Sequence, residues 1–138
     1  MKGLLDYSDV WLIGGGGKTR LMYQLAEQWA ARGKSVICTT TTRILPPAAG
    51  QCSDLRIGAP VSFGVDLLRE TATVVTMASD VRDGKCVGFL PDEALSLKTR
   101  ADHLVVEADG AAGRPVKAHA PHEPPLASAA SCVVAVVG

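Results

Sequence analysis

Apolar residues follow two periods along this chain, and the switches between them predict its elements. Val10-Trp11-Leu12-Ile13 is a short continuous apolar run that stops at four glycines, Gly14 to Gly17. From Lys18 to Arg32, Leu21, Met22, Leu25, Ala26, Trp29 and Ala30 recur at helical spacing. Gly33 then supplies a stop. Ser35-Val36-Ile37-Cys38-Thr39 is short and β-branched, a second buried strand that runs into Thr40-Thr41-Thr42-Arg43. Strand, loop, helix and strand within about 30 residues imply a parallel pair, because a helical crossover returns the chain in the same direction.

The alternation continues. Pro46-Pro47-Ala48-Ala49-Gly50 marks a loop, and Ser62 to Glu70 reads as a weak helix with Phe63, Leu67 and Leu68 on one side. Thr73-Val74-Val75-Thr76-Met77 is a strand, and Asp83-Gly84 sits among short apolar pairs as in a small hairpin or irregular excursion. Pro91-Asp92-Glu93 opens a helix to about Ala101, with proline and acids where a helix start tolerates them. His103 to Asp109 is a strand ending in acids, Gly110 to Pro125 a loop rich in proline and histidine, and Cys132 to Val137 a last apolar strand. This order predicts an α/β fold, doubly wound around a mainly parallel sheet. The last strand reads as a core strand with no helix after it, which suggests one domain over 1–138 lacking C-terminal elements, as in an N-terminal fragment.

Composition narrows the function classes. With 47% hydrophobic and 20% charged residues, and a mean hydropathy of +0.19, the 138 residues fill one packed domain rather than a disordered chain. Fourteen basic residues balance fourteen acidic ones, so no charge excess points to nucleic acid or an anionic membrane. Aromatics at 4% argue against a base-stacking single-strand binder. No apolar run is long enough to span a bilayer, and Met1 to Asp6 holds no signal-peptide core. Cys38, Cys52, Cys86 and Cys132 are widely spaced without a CxxC pair, and Cys38 and Cys132 lie in strand-like runs. A reduced, cytoplasmic protein is the expectation.

The chemistry concentrates in Gly14-Gly15-Gly16-Gly17-Lys18-Thr19, between a predicted strand and a predicted helix. Glycines let successive backbone N–H groups converge on phosphate oxygens, and the helix N-terminus adds partial positive charge. Lys18 would reach the β- and γ-phosphates, and the Thr19 hydroxyl would ligate Mg²⁺. The full phosphate-loop pattern GxxxxGK[ST] needs glycine where Leu12 stands, so this is a shortened form, GxxGKT. The dinucleotide pattern GxGxxG fails, because Lys18 and Thr19 fill its last positions.

Such a loop needs an acid at the end of a neighbouring strand to hold the metal or its water. Glu107 and Asp109 end one, and being two apart they point to the same side of an extended segment. Thr40 and Thr41, within Thr39 to Thr42, close the second strand at the same sheet edge, where hydroxyls can meet phosphate, metal-bound water or an acceptor, or simply finish a β-branched strand. Arg43 and Arg114 are cationic candidates for a transferring phosphate. His119, His122 and Glu123 form a short HxxHE cluster that reads better as loop hydrogen bonders than as metal ligands, and Lys117 lies beside it.

The segment Glu107-Ala-Asp-Gly-Ala-Ala-Gly-Arg-Pro-Val-Lys-Ala-His119, with Pro121-His122-Glu123-Pro124, resembles the selenium-dependent hydroxylase accessory protein family. Gly14 to Thr19 and Thr39 to Thr42 match that family's glycine loop and threonine segment. The likeness covers essentially the whole chain, although family members continue past Gly138. It implies a P-loop NTPase-like protein that assists maturation of a selenium-dependent molybdenum hydroxylase, with that enzyme or its maturation machinery as partner. The loop is also similar to that of the Mur ligases, and Asp109 to Gly113 to the switch region of nickel-insertion GTPases. An NKxD guanine motif has no counterpart, since the chain contains no asparagine.

These readings lead to one expectation and two alternatives. A Mg-nucleoside triphosphate, ATP rather than GTP, sits on Gly14, Gly15, Gly16, Gly17, Lys18 and Thr19, with Thr40, Thr41 and Arg114 nearby and Thr19, Asp109 and Glu107 at the metal. Lys18, Asp109 and Glu107 carry hydrolysis. The alternatives are a kinase- or ligase-like enzyme with an acceptor near Thr40 to Arg43 and the Arg114-Lys117-His119 loop, or a non-catalytic nucleotide-sensing scaffold.

Overall fold

The computed structural model describes residues 3–63, 72–108 and 129–137. Strand β1 (Asp9–Gly14) leads through the glycine loop into helix α1 (Lys18–Ala31), and β2 (Val36–Thr40) follows. Next come β3 (Arg43–Ile44), β4 (Asp54–Ile57), β5 (Val74–Ala78), and the hairpin β6 (Asp80–Arg82) and β7 (Lys85–Val87). Helix α2 (Pro91–Ser96), β8 (His103–Glu107) and β9 (Val133–Val136) complete the order, with 3-10 turns at Leu4–Asp6, Pro60–Phe63 and Leu97–Arg100.

The main sheet has the order β4-β5-β2-β8-β1-β9, and every pairing in it is parallel. The fold is therefore α/β, as the alternation of periods predicts. The unit β1-α1-β2 is parallel, but its strands are not neighbours, because β8 inserts between them. Local sequence carries no signal for that insertion, since β8 comes from more than sixty residues downstream of β2.

Side chains of the inner strands alternate between two apolar layers, as a period of two requires. Val10, Leu12, Val36, Cys38 and Val105 pack with Met22, Leu25, Ala26 and Trp29 of α1. Trp11, Ile37, Val75, Met77, Leu104 and Val106 pack on the opposite face with Ala94 and Leu97. Burial on both faces explains why these strands read as continuous apolar runs.

Several expectations need correction. The helix expected from Pro91 to Ala101 is α-helical only to Ser96 and then tightens into a 3-10 turn. Among the described residues, strand β9 lies at the edge of the sheet rather than inside it, with Val133 45% exposed and Cys132 half-buried. Strands β3 and β4 are absent from the apolar pattern, because the first has two residues and the second alternates Asp54 and Arg56 with Leu55 and Ile57, none of them buried. Of the helix expected over 62–70, only the 3-10 turn at Pro60–Phe63 falls within the described residues. No helix among them is long and apolar enough to cross a membrane.

Beyond the carboxyl ends of β2 and β5, β3, β7 and β6 form a small antiparallel sheet. Its hairpin turns at Asp83-Gly84, as expected. The chain leaving β7 then clasps the threonine segment: Gly88 N–H donates to Thr42 O at 2.7 Å and Phe89 N–H to Thr40 O at 3.0 Å. A Cβ on Gly88 would collide with the Thr40 carbonyl, so the approach requires glycine there.

Candidate functional site

The glycine loop lies at the carboxyl edge of the sheet, between β1 and α1, which is where α/β sheets place ligands. Gly14 has φ +100° and lies against β9, where any side chain would run into the Val136 carbonyl. Gly15 N–H donates to that carbonyl at 2.6 Å, which anchors the start of the loop to the edge strand. Gly16 and Gly17 are exposed. Gly17, with φ +94°, precedes the first helical residue, and no side chain caps the helix. The first intrahelical bond runs from Leu21 N–H to Gly17 O at 3.0 Å, so the N–H groups of the first turn have no acceptor further back in the helix.

Lys18 folds back into the loop. Its ammonium donates to Gly14 O at 2.8 Å and Gly15 O at 3.1 Å, and the residue is 2% exposed. A buried cation held by two carbonyl oxygens at the mouth of a glycine loop concentrates positive potential there, alongside the helix dipole.

The tip of β8 closes the other side. Thr19 Oγ1 donates to Glu107 Oε2 at 2.5 Å, and Glu107 is buried. Register alone brings Glu107 opposite Leu12 of β1 and Thr40 of β2. The threonine segment completes this edge. Thr40 is fully buried; its hydroxyl donates to Glu107 O at 2.7 Å and accepts from Thr42 N–H at 3.0 Å. Thr41 is half-buried, with its hydroxyl 3.3 Å from Ala108 O, while Thr39 is buried and donates to Met77 O at 2.6 Å.

The structure thus brings together Gly14 to Thr19, Thr40, Thr41 and Glu107, over separations that only the parallel sheet bridges. Arg43 is exposed on β3, beyond the threonines. Asp109, Arg114, Lys117, His119, His122 and Glu123 lie outside the described residues. Among the described residues, no group of three or more His, Cys, Asp or Glu forms a metal-binding cluster. Gly88 and the Val136 carbonyl were not singled out from sequence; a lone glycine after β7 was the one available hint of close backbone approach.

The hydroxyl and carboxylate of Thr19 and Glu107 are hard oxygen donors, the kind that Mg²⁺ takes from a protein when phosphate oxygens complete its shell. The loop, Lys18 and the helix start fit the phosphates themselves.

A family model described as "YqeC protein" matches residues 10–138. The chain is 34% identical over 133 residues to "Uncharacterized protein YqeC" of Escherichia coli strain K12, covering 92% of this chain and 50% of that protein. It therefore spans about half the length of this curated relative. No solved structure matches.

Proposed function

The chain belongs to the YqeC protein family, and from that premise and the loop geometry we propose that it is a P-loop domain that binds and hydrolyses a Mg-nucleoside triphosphate. The observation that carries this reading is the Thr19–Glu107 hydrogen bond, which joins the first helical turn to the neighbouring strand tip beside the buried Lys18 ammonium. A serine- or threonine-type hydroxyl on the metal and an acid at a strand end are what phosphoryl transfer uses in such loops. Bound Mg²⁺ would supply charge neutralisation on the phosphates. The protein's own part is positional. Lys18 exchanges its carbonyl contacts for phosphate oxygens, the N–H groups of the first α1 turn hold the terminal phosphates, and Glu107 orients the metal side.

ATP is favoured over GTP, since no NKxD motif supports a guanine. The resemblance described above makes maturation of a selenium-dependent molybdenum hydroxylase the favoured context, with water as phosphoryl acceptor and that enzyme or its maturation machinery as partner. Titration calorimetry with MgATP and MgGTP tests the reading. Saturable binding that Lys18→Ala abolishes supports it, and absence of binding by the folded chain overturns it.

A further inference from the structure

A cavity of about 430 Å³ lies between α1 and the segment Gly50–Ser53, lined also by Ala72 and Val74 at the start of β5 and by none of Gly14 to Thr19. That volume is within the ~300–1,000 Å³ typical of small-molecule sites. One wall is a single stripe of α1: Arg20, Gln24 and Glu27 follow at steps of four and three residues. Among the described residues, no hydrogen bond or ion pair engages these three side chains. The facing wall carries Gln51 and the half-buried Cys52. Gln51 Oε1 accepts from Ala48 N–H at 2.8 Å, which orients its amide and leaves its NH₂ as the donor. Tyr23 at the floor has its hydroxyl committed to Thr76 at 2.8 Å.

The two ends of the stripe are opposite in charge. Seven helical residues separate Arg20 from Glu27, about 10 Å along the axis. A ligand spanning them needs an anion at the Arg20 end, a hydrogen-bond donor at the Glu27 end, and polar edges in between for two amides. We propose that this cavity binds a nucleoside monophosphate with an amino-bearing base, its phosphate on Arg20 and its exocyclic amine on Glu27. The site is separate from the triphosphate loop, and its existence does not depend on that reading.

Cys52 provides the test. Cys38 and Cys86 are buried, and burial pushes both thiols up, so alkylation by iodoacetamide reads Cys52 and Cys132. AMP and CMP at millimolar concentration are expected to slow alkylation of Cys52 severalfold and leave Cys132, outside the cavity, unchanged. UMP and inorganic phosphate should protect much less. Protection should persist in Lys18→Ala and disappear in Arg20→Ala and in Glu27→Gln, both exposed positions whose replacement leaves the core intact. No protection by AMP or CMP overturns the proposal, as does equal protection by inorganic phosphate or persistence in Arg20→Ala. Protection lost in Lys18→Ala would also overturn it, by placing the ligand in the glycine loop. Absence of MgATP binding by the wild-type chain, with AMP protection intact, would instead count against the loop reading alone.

Discussion

Thr19 and Glu107 stand 88 residues apart in sequence and meet through a hydrogen bond of 2.5 Å. A hydrogen bond to a charged group contributes about 1.5–3 kcal/mol, and under the proposed function these two side chains are the ones that would hold Mg²⁺. Thr19→Val and Glu107→Gln should therefore each remove most of the Mg²⁺ dependence of ATP binding. Calorimetry with Mg²⁺ and with EDTA measures this: wild type should show a large affinity ratio, and both variants a ratio near one. An unchanged ratio in Glu107→Gln would show that this carboxylate does not serve the metal.

Asp9 is fully buried at the start of β1 and is an acceptor hub. Its carboxylate accepts from Trp11 Nε1 at 3.0 Å, from Ser131 N–H at 2.8 Å and from Ser131 Oγ at 2.6 Å. It ties β1 to the segment entering β9, the strand that positions the glycine loop. Asp9→Ala strands these donors at about 1–3 kcal/mol for each one left unsatisfied. Urea denaturation should show a loss of several kcal/mol, and Asp9→Asn a smaller one.

Gly88→Ala drives a Cβ into the Thr40 carbonyl. Overpacking of this kind costs about 1–3 kcal/mol, and here it pries the hairpin from the threonine segment beside Glu107. Gly16→Ala is the matched control, since a Cβ there meets nothing within 4 Å. Thermal melting should separate the two variants clearly; equal melting temperatures would mean that the clasp yields freely.

His103 stacks on Trp29 with ring centroids 4.4 Å apart, and its Nδ1 lies 2.9 Å from Tyr7 O. Burial lowers its pKa below the usual 6.5, against the opposing pull of the Tyr7 carbonyl and Asp102. Protonation therefore favours the unfolded chain. This contribution is fully present above the unfolded value and is lost as pH falls through the lowered folded one. Asp102, lowered chiefly by Ser35 N–H, acts only in the more acidic carboxylate range. Urea midpoints at pH 7.5 and 5.5 should differ in wild type and differ less in His103→Gln.

The sequence reveals those parts of the fold that local periodicity encodes. Leu21 to Ala30 announce α1, and Val36 to Cys38 and Leu104 to Val106 announce buried strands, because each is covered on the expected faces. Gly14 to Thr19 were legible as a loop since the residue types themselves impose the geometry. The place of β8 between β1 and β2 was not legible, being a choice among parallel partners that no short window contains. Thr19 and an acid at the end of a later strand were readable as one metal site, but the choice between Glu107 and Asp109 was not, since it depends on where β8 lies. The edge character of β9 is hidden because Val133 to Val136 are apolar whether covered or not, and only their exposure reveals the edge.

The two threonines expected to serve the nucleotide differ in what they already do. Thr40 is fully buried, with its hydroxyl engaged by Glu107 O and Thr42 N–H, so its first role is to lock β2 to the tip of β8. Thr41 is half-buried, with its hydroxyl 3.3 Å from Ala108 O, and its position nearer the surface is the one a ligand can reach. Thr40→Val, which keeps the shape and removes the hydroxyl, should cost about 1–3 kcal/mol in urea denaturation, chiefly through the stranded Thr42 N–H, since Glu107 O keeps its bond from Thr41 N–H. Thr41→Val should leave the midpoint nearly unchanged and weaken MgATP binding in calorimetry. The reverse pattern, a stable Thr40→Val with impaired binding and a destabilised Thr41→Val with none, would exchange the two roles and move the ligand one residue toward the core.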